Sequence, residues 1–447
     1  MKVTLIMPSI GRKPGQRYIT TWQMEPLVLA LLAGLTPSDW TPEIQDDRVE
    51  PLDYDRPTDL VAITVETYTA RRAYQIAAEF RRRGVRVVMG GYHATLLPDE
   101  VRQHADAVVI GEAEPVWATV LADAKAGRLQ PVYRSERTTD LAGLKVDRRV
   151  YAGKPYLPLT LVEFSRGCRH ACSFCSITAF YKATHRFRPP AEVAVEVRAA
   201  GNKTVFLIDD NIAASEEAAF ALCAAFKPLG VNWVSQISVD AAANPRLVKA
   251  MAEAGCMGVL IGFESLRPDT LVRLNKRCNG GPERYDAALA LLRQHGICVY
   301  ATLMFGMDGD DPASFREAMS FIRKHRFFLT AFNHVVPFPG TPLYARLQAE
   351  GRLVSPAWWL DPAFRFGQVA FHPRPMTAPQ VAELCRRYRR KFYSWRSILH
   401  RGLDLQTNAR SLAVFGLFLT QNYLGRREVE EKFGLPLGFV DPIVKGA

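Results

Sequence analysis

Three of the eight cysteines in the 447-residue chain stand close together in the segment SRGCRHACSFCSI, residues 165–177. They have the spacing Cys-x3-Cys-x2-Cys and are Cys168, Cys172 and Cys175. Three thiolates from one short loop can ligate three irons of a 4Fe-4S cluster and leave the fourth iron without a protein ligand. A zinc ion would need a fourth ligand, which His170 or His185 could offer. The pattern favours iron, because a lone aromatic residue before the last cysteine, here Phe174, is unusual for a zinc loop.

The composition is that of a soluble globular protein, with 48% hydrophobic and 23% charged residues. The N-terminus lacks the long apolar region and the small-residue cleavage site of a secretory signal. The stretch closest to a membrane span, residues 411–420, is shorter than the ~18–20 residues that a spanning helix requires. We therefore expect a cytoplasmic protein, in which a tight cysteine cluster indicates a metal site rather than a disulfide.

The formal net charge of +12 is compatible with a nucleic acid, an anionic membrane or an acidic substrate as partner, and equally with a solvated basic surface. The densest basic segment, residues 385–401, interleaves Arg and Lys with Tyr, Phe and Trp. Such a mixture suits a helix on a membrane surface or an RNA backbone as well as a plain surface helix. We treat residues 385–401 as a candidate membrane-surface contact and do not expect nucleic acid to be the primary partner.

Short apolar segments alternate with amphipathic segments along two parts of the chain. The pattern predicts a parallel, doubly wound sheet for residues 1–125, with strands that end in small, polar or Gly-rich sequences. Residues 126–159 carry Gly, Pro and charges without clear periodicity and are predicted to be a linker. Six βα units over residues 160–345 predict a partial (β/α)6 barrel, and residues 346–447 a helical C-terminal cap. Ligands of such folds lie at the carboxyl ends of the strands.

The cysteine spacing resembles that of the radical SAM superfamily, and four further segments resemble the superfamily in the same order. They are IDDN (208–211), QIS (236–238), GVLIGFES (258–265, with its first glycine shifted by one residue) and FPGTPLY (338–344). The resemblance implies a 4Fe-4S cluster on the three cysteines and S-adenosylmethionine (SAM) at the open iron. The SAM-binding residues that it implies are Phe174, Asp209, Asp210, Asn211, Gln236, Ser238, Gly262 and Glu264.

The same resemblance implies the chemistry of the site. SAM chelates the open iron through its amino and carboxylate groups, and one electron from the reduced cluster breaks the S–C5′ bond to give a 5′-deoxyadenosyl radical. A reducing electron donor is therefore implied as a partner. The protein's share is to bind, to orient and to exclude side reactions, since the cofactors carry the difficult chemistry.

A doubly wound domain ahead of a radical SAM barrel resembles the class B architecture, whose N-terminal domain binds cobalamin. The cobalamin-binding residues that this resemblance implies are Asp47, Arg48, Thr64, Glu66, Thr67, Gly90, Gly91, His93, Gly111 and Glu112. One departure concerns the loop DDRVEP, residues 46–51, which lacks the Asp-x-His-x-x-Gly sequence whose histidine ligates cobalt. Any cobalamin would be bound without a histidine from that loop, and the alternative is a domain that binds no corrinoid and only closes the barrel.

The chain has no cysteine before Cys168, which excludes the methylthiotransferases that carry a second, N-terminal cluster. The class B resemblance implies methyl transfer to an unactivated carbon, or to phosphorus, of a small metabolite or lipid. The alternative enzyme keeps the radical without methyl transfer: it cyclises, epimerises or transfers another SAM-derived group, with the N-terminal domain as a lid. A third interpretation, from a different class, is RNA or membrane binding through residues 385–401.

Overall fold

The computed structural model describes residues 1–13, 15, 18, 23–135 and 138–439. These residues form an N-terminal α/β domain, an open barrel and a C-terminal segment that contacts both. The predicted fold class is confirmed: a doubly wound parallel sheet precedes a partial (β/α)6 barrel and a mainly helical C-terminal region. No helix in the described part of the chain is long and apolar enough to cross a bilayer.

The N-terminal domain is built on a six-stranded parallel sheet. Its strands, with a short β2 outside the sheet, are β1 (Lys2–Met7), β2 (Gly11–Arg12), β3 (Thr41–Asp46), β4 (Leu60–Thr64), β5 (Arg86–Gly90), β6 (Ala107–Ile110) and β7 (Val132–Arg134). The sheet order is β3-β1-β4-β5-β6-β7, so the direction of winding reverses between β1 and β4. Open α/β sheets bind ligands at the carboxyl side of such a reversal.

Helices cover both faces of this sheet, which is why its strands are nearly continuous apolar runs. They are α1 (Leu27–Gly34), α2 (Ala70–Arg82), α3 (Tyr92–Leu96), α4 (Pro98–Val101) and α5 (Trp117–Lys125). Helix α2 is amphipathic, and its Ile76, Ala77 and Phe80 are fully buried against the sheet.

The linker prediction for residues 126–159 is partly wrong. Strand β7 lies inside this range and pairs with β6 as the edge of the N-terminal sheet, with Val132 opposite Val108. A 310 turn, Arg148–Tyr151, contacts α1 further along the same range. A strand of three residues directly after Pro131 is too short to show a period-2 pattern, so the sequence carried no signal for it.

The barrel has six parallel strands in the order β8-β11-β12-β13-β14-β15. The strands of this part of the chain are β8 (Thr160–Val162), β9 (Ser165–Gly167), β10 (His185–Phe187), β11 (Thr204–Leu207), β12 (Asn232–Ile237), β13 (Cys256–Glu264), β14 (Cys298–Phe305) and β15 (Leu329–His334). Strands β9 and β10 form a separate antiparallel pair.

Nine helices accompany these strands: α6 (Ser176–Tyr181), α7 (Pro190–Ala200), α8 (Glu216–Phe226), α9 (Val239–Ala242), α10 (Pro245–Glu253), α11 (Pro268–Arg273), α12 (Pro282–Gln294), α13 (Pro312–His325) and α14 (Pro342–Ala349). Six of them begin with proline. Proline suits this position because its fixed φ is already helical and its missing N–H would have no partner there.

The C-terminal segment joins the two domains. It contains α15 (Ala378–Phe392), α16 (Trp395–Gly402), α17 (Leu412–Lys432) and β16 (Gly438–Phe439), and β16 pairs with β2. Trp358 and Trp359 of this segment lie in the core of the N-terminal domain. The Trp359 Nε1–H donates to the Glu100 carboxylate at 3.0 Å. The segment is therefore part of both domains rather than a separate cap.

Candidate active site

The cysteine loop runs from β9 to α6, and two carboxylates from the loop after β11 hold the backbone that leads into it. The Asp209 carboxylate accepts hydrogen bonds from the backbone N–H groups of Phe164 and Ser165. The Asp210 carboxylate accepts one from Gly167 at 3.0 Å. Burial raises the pKa of Asp209 to about 7 and that of Asp210 to about 6.

The role predicted for Asp209 therefore needs correction, whereas that of Asp210 stays a prediction. Asp209 is 1% exposed and both of its oxygens accept from the backbone, so it supports the loop and is not available to SAM. Asp210 borders a cavity shared with the N-terminal domain. The sequence shows which residue types end a strand, but not which neighbour each side chain faces.

The three cysteines follow this anchored strand directly. Cys172 is buried, whereas Cys168 and Cys175 are half-buried, and Cys175 precedes the first residue of α6. Burial raises the pKa of the Cys168 thiol and raises that of Cys172 to about 12. Without a metal these thiols keep their protons, and a bound metal would replace those protons. Three such donors on one loop fit a 4Fe-4S cluster with one iron left open.

Three of the residues predicted to bind SAM cluster beside this loop at neighbouring strand ends. The Asn211 Nδ2 lies 3.9 Å from the Cys168 Sγ and donates to the Ser238 Oγ at 3.3 Å. The Gln236 Nε2 donates to the Asp209 backbone carbonyl at 3.1 Å, which ties the ends of β11 and β12 together. Amide and hydroxyl groups are thus placed next to the position of the cluster.

Gly262 and Glu264 lie at the end of β13, where the register with β14 shifts. Glu264 has a left-handed backbone, with φ +61°. Its carboxylate folds back over Gly262. A Cβ at position 262 would lie only 2.2 Å from the Glu264 Oε1. Glycine is therefore required at position 262 for this carboxylate to stay where it is.

Lys276 is a residue of this site that the sequence analysis missed. Its Nζ lies 3.4 Å from the Glu264 Oε1. Burial disfavours the charged ammonium, but Glu264 and the nearby thiols outweigh burial and raise the pKa of Lys276. A buried cation is thus kept beside the cysteine loop, where it suits an anionic ligand. The basic sequence NKRCNGG (275–281) was the available signal.

Phe174, the remaining residue predicted to bind SAM, borders a cavity of about 410 Å³ between the barrel and the C-terminal helices. Cys175 lies on the same wall. Further aromatic side chains of the wall are Tyr68, Phe332, Phe338, Phe366 and Phe433. Arg389 also reaches it, and its Nε donates to the Phe332 carbonyl at 3.1 Å. We call this space the barrel-mouth cavity.

A second cavity, of about 540 Å³, lies between the N-terminal sheet and the barrel. Seven of the ten predicted cobalamin-binding residues border it: Arg48, Thr64, Glu66, Gly90, Gly91, Gly111 and Glu112. Its wall at the strand ends is smooth, because three of these positions are glycine. Such a wall fits a flat macrocycle. We call this space the interdomain cavity.

The other three predicted cobalamin-binding residues lie elsewhere. His93 is fully buried with its ring nitrogens at 3.2 Å from the Thr67 Oγ1 and 3.0 Å from the Glu100 Oε1. Asp47 accepts two hydrogen bonds from the Arg72 guanidinium, at 2.8 and 2.9 Å. The prediction is corrected for His93, because α3 begins at residue 92 and turns the histidine inward. Asp47 and Thr67 are not among the residues that border the interdomain cavity, and their role stays a prediction.

A charge network closes the wall between the interdomain cavity and the cysteine loop. Arg166 contacts three carboxylates, those of Glu112 at 2.9 Å, Glu114 at 2.6 Å and Glu163 at 2.8 Å. Arg186 also contacts Glu112, at 2.8 Å. Because Glu112 and Glu114 belong to the N-terminal domain, these contacts fix that domain over the barrel. The sequence predicted Glu112 at this edge but not its partners.

Comparisons with known proteins agree with this arrangement. Residues 162–322 match the model of the radical SAM superfamily. The chain is 30% identical to bacteriochlorophyllide d C-12(1)-methyltransferase of Chlorobaculum tepidum over 84% of each chain. It is 28% identical to the C-8(2)-methyltransferase of the same organism, over 74% of this chain and 78% of the relative.

A solved structure has the same fold. The radical SAM methyltransferase TsrM from Kitasatospora setae, with cobalamin and a 4Fe-4S cluster bound, superposes with a TM-score of 0.63. The sequences are 18% identical, and the match covers 87% of this chain and 81% of TsrM.

The fold and the cysteine loop thus define a radical SAM enzyme, which uses a 4Fe-4S cluster and SAM. The chain belongs to class B of the radical SAM superfamily, in which a cobalamin-binding-like domain precedes the barrel.

Replacement of Cys168 by alanine is expected to abolish the cluster. With two thiolates left, the loop cannot hold a stable cube, so SAM cleavage to 5′-deoxyadenosine should fall to less than about one hundredth. Iron and sulfide analysis of anaerobically reconstituted protein, with nucleoside chromatography, measures both. The control is Cys223→Ala in α8, a buried cysteine of the barrel core. Full cleavage by the Cys168 variant would contradict the assignment.

Replacement of Lys276 by methionine is expected to weaken SAM binding without loss of iron. Hydrogen bonds to charged groups contribute about 1.5–3 kcal/mol, so the Kd for SAM should rise about tenfold to a hundredfold. Equilibrium binding of radiolabelled SAM to the reconstituted variant measures this. Lys276→Arg, which keeps the charge, should restore part of the affinity; an unchanged Kd in the methionine variant would exclude a role in binding.

Proposed function

We propose that the chain is a cobalamin-dependent methyltransferase that acts on an unactivated carbon of a small, largely apolar molecule. The observation that carries the proposal is the interdomain cavity, which extends from the glycine-rich strand ends of the N-terminal sheet to Ile208 and Asp210 beside the cysteine loop. A cofactor in this cavity would lie between the N-terminal sheet and the barrel strands.

The chain's own residues would have separate roles at this site. Cys168, Cys172 and Cys175 would hold the cluster, and Asn211, Ser238 and Lys276 would orient SAM against it. The bound cofactors would supply the electron, the radical and the methyl group. The aromatic walls and the interdomain ion pairs would keep water from the reacting carbon.

A corrinoid in the interdomain cavity would lack a histidine ligand from the described residues. None of the described residues that border the cavity is a histidine. Arg48 borders it from the loop that follows β3, and its guanidinium is held by two bonds to Asp46, at 2.6 and 2.8 Å. Arg48 would therefore be one of the residues that hold the corrinoid, with its charge already paired to Asp46.

The barrel-mouth cavity is the proposed substrate site. Six of the nineteen residues that line it are Phe or Tyr. Burial lowers the pKa of His334 on that wall to about 4, so the ring is neutral. Among the described residues, Arg389 donates to the Phe332 backbone carbonyl and to the Asn333 amide oxygen rather than to a carboxylate. An apolar molecule with an anionic group would suit this lining. The bacteriochlorophyllide methyltransferases to which the chain is similar are named for a pigment substrate.

Contact with a membrane surface is the partner that we propose for residues 385–401 and the residues that follow. Helix α16 presents Trp395 and Leu399 to solvent, and the chain continues with exposed Leu403, Leu405 and Leu412. The only acidic residue in 385–412, Asp404, is buried and paired with Arg293 at 2.6 Å. Arg386 and Arg390 pair with Glu430 of α17, so the exposed apolar side chains are the main feature of this surface. Such side chains beside a basic segment suit an anionic lipid surface.

Methyl transfer is tested directly by a reaction that needs no substrate. Reconstituted protein, reduced with titanium(III) citrate and supplied with hydroxocobalamin and SAM, should form methylcobalamin and S-adenosylhomocysteine in equal amounts. Absorbance and chromatography measure both products. With bacteriochlorophyllide d as a trial substrate, the product should be heavier by one methyl group.

The variant Thr64→Leu would place a larger side chain at the wall of the interdomain cavity and should lose methylcobalamin formation. It should keep 5′-deoxyadenosine formation, since Thr64 ends strand β4 of the N-terminal sheet and is not among the residues that would hold the cluster or SAM. Wild-type protein that makes 5′-deoxyadenosine but neither methylcobalamin nor S-adenosylhomocysteine would contradict methyl transfer and favour the cyclase or epimerase alternative.

The electron paramagnetic resonance spectrum of protein-bound cob(II)alamin is expected to lack nitrogen superhyperfine splitting from an axial histidine. The physical reason is that the described residues around the interdomain cavity offer no imidazole. Free cob(II)alamin at neutral pH, with its own base bound, is the reference. A three-line nitrogen splitting that survives 15N labelling of the cofactor would place a protein nitrogen on cobalt and contradict this expectation.

Binding to anionic vesicles is expected to depend on the exposed leucines and tryptophan. The triple variant Trp395→Ser, Leu399→Ser, Leu403→Ser should lose at least about tenfold in affinity for vesicles that contain phosphatidylglycerol. Vesicle co-sedimentation measures the affinity. The matched control is Val195→Ser with Val272→Ser, since both valines are exposed on the barrel helices. Equal binding of the two variants would exclude this surface.

A further inference from the structure

We propose that His170, Asp240 and Cys278 form a site for one divalent transition-metal ion of the zinc class, separate from the cluster cysteines. A ring nitrogen, a carboxylate oxygen and the Cys278 Sγ all lie within 4.8 Å of one another. One ion can contact all three donors once their separation closes by up to about 1 Å, since zinc ligands lie about 2.0–2.3 Å from the metal in a tetrahedral arrangement.

The three donors come from three different elements of the barrel. His170 lies within the cysteine loop, Asp240 in the short helix α9 after β12, and Cys278 in the 310 turn Arg277–Asn279. No local sequence motif brings them together, so their convergence is a property of the tertiary fold. The site would join the cysteine loop to the turn that follows Lys276.

Two of the donors carry buried polar atoms without a partner. The His170 Nε2 and the Asp240 Oδ1 are both inaccessible to solvent and have no hydrogen-bond partner among the described residues. The other Asp240 oxygen, Oδ2, accepts from the Arg169 Nη2 at 3.0 Å, which orients the carboxylate. Buried polar atoms are nearly always paired, so two unpaired atoms at one point indicate a missing partner.

Cys278 is held in place by its neighbour. Its side chain is buried, and its Sγ donates weakly to the Asn279 Oδ1 at 3.6 Å. The Asn279 Nδ2 in turn donates to the Phe263 carbonyl at 2.7 Å and contacts the Tyr285 hydroxyl at 3.0 Å. Asn279 thus fixes the turn that carries Cys278, whereas the S–H donor itself is given up when the thiol binds a metal as a thiolate.

The chemistry of the three donors selects the class of ion. Imidazole and thiolate disfavour Mg²⁺ and Ca²⁺, which take oxygen ligands. One nitrogen, one oxygen and one sulfur ligand suit zinc, with a water in the fourth position. A thiolate and a carboxylate together neutralise the two positive charges of the ion. We infer that the ion clamps the cysteine loop to the barrel rather than taking part in the cleavage of SAM.

Metal analysis of the full-length protein tests the proposal. Protein with a reconstituted cluster is passed over a chelating resin, given one equivalent of zinc chloride and desalted, and its iron and zinc are measured by mass spectrometry. We expect about four irons and about one zinc per chain. The zinc K-edge spectrum should contain a single sulfur ligand at about 2.3 Å.

Single substitutions separate this site from the cluster. His170→Ala, Asp240→Asn and Cys278→Ser should each reduce zinc at least about fivefold with iron unchanged, because the cluster has its own thiolates. His185→Ala and Cys223→Ala are the matched controls and should retain zinc. Retained iron also reports that a variant is folded.

Three results would overturn the proposal. Wild-type protein that holds iron but no zinc after this treatment would show that the site does not bind zinc. Zinc that is unchanged in all three variants would place it elsewhere. Zinc that rises only as iron falls would place it on the cluster cysteines. Iron and zinc are read separately, so failure of this site is distinguishable from failure of the radical SAM assignment.

Discussion

Two adjacent carboxylates, Asp209 and Asp210, hold the backbone from which the cysteine loop departs. They accept hydrogen bonds from the N–H groups of residues 164, 165 and 167, which lie just before the first cysteine. A loop that carries three metal ligands needs a fixed origin, because a shift of one strand residue would reverse the side of every side chain. The position of the cluster relative to the barrel therefore depends on this pair.

The same region separates the two cavities of the molecule. Asp210 borders the interdomain cavity, whereas Phe174 and Cys175 border the barrel-mouth cavity on the other side of the loop. The C-terminal segment closes the barrel-mouth cavity with Phe366 and Phe433. The cysteine loop thus lies between the interdomain cavity and the barrel-mouth cavity. A reactive carbon radical formed there would be enclosed by protein.

The sequence predicted the location of the site well, because the carboxyl ends of parallel strands meet at one edge of a sheet. Asn211, Gln236 and Ser238 lie beside the loop for this reason. The sequence predicted poorly which way a side chain faces: Asp209 turns to the backbone, and His93 turns into the core. These orientations depend on neighbours that are distant in the chain, such as Glu100 for the histidine.

The sequence pattern did not predict the contact between Lys276 and Glu264, nor the convergence of His170, Asp240 and Cys278. Lys276 meets Glu264 only because a register shift at the end of β13 folds that carboxylate back over Gly262. Similarly, the C-terminal segment continues past the barrel and places Trp358 and Trp359 in the core of the N-terminal domain. Contacts between segments that are far apart in the chain leave no periodic pattern in the sequence.

The central claim is that the cluster is held at three corners by the cysteine loop and that SAM occupies the fourth. Electron–nuclear double resonance of the reduced protein, with SAM labelled by 15N at its amino group, measures this directly. The account predicts a 15N coupling from a nitrogen bound to the cluster iron. A reduced cluster that binds SAM yet lacks this coupling would contradict the account, since a protein ligand would then fill the fourth corner.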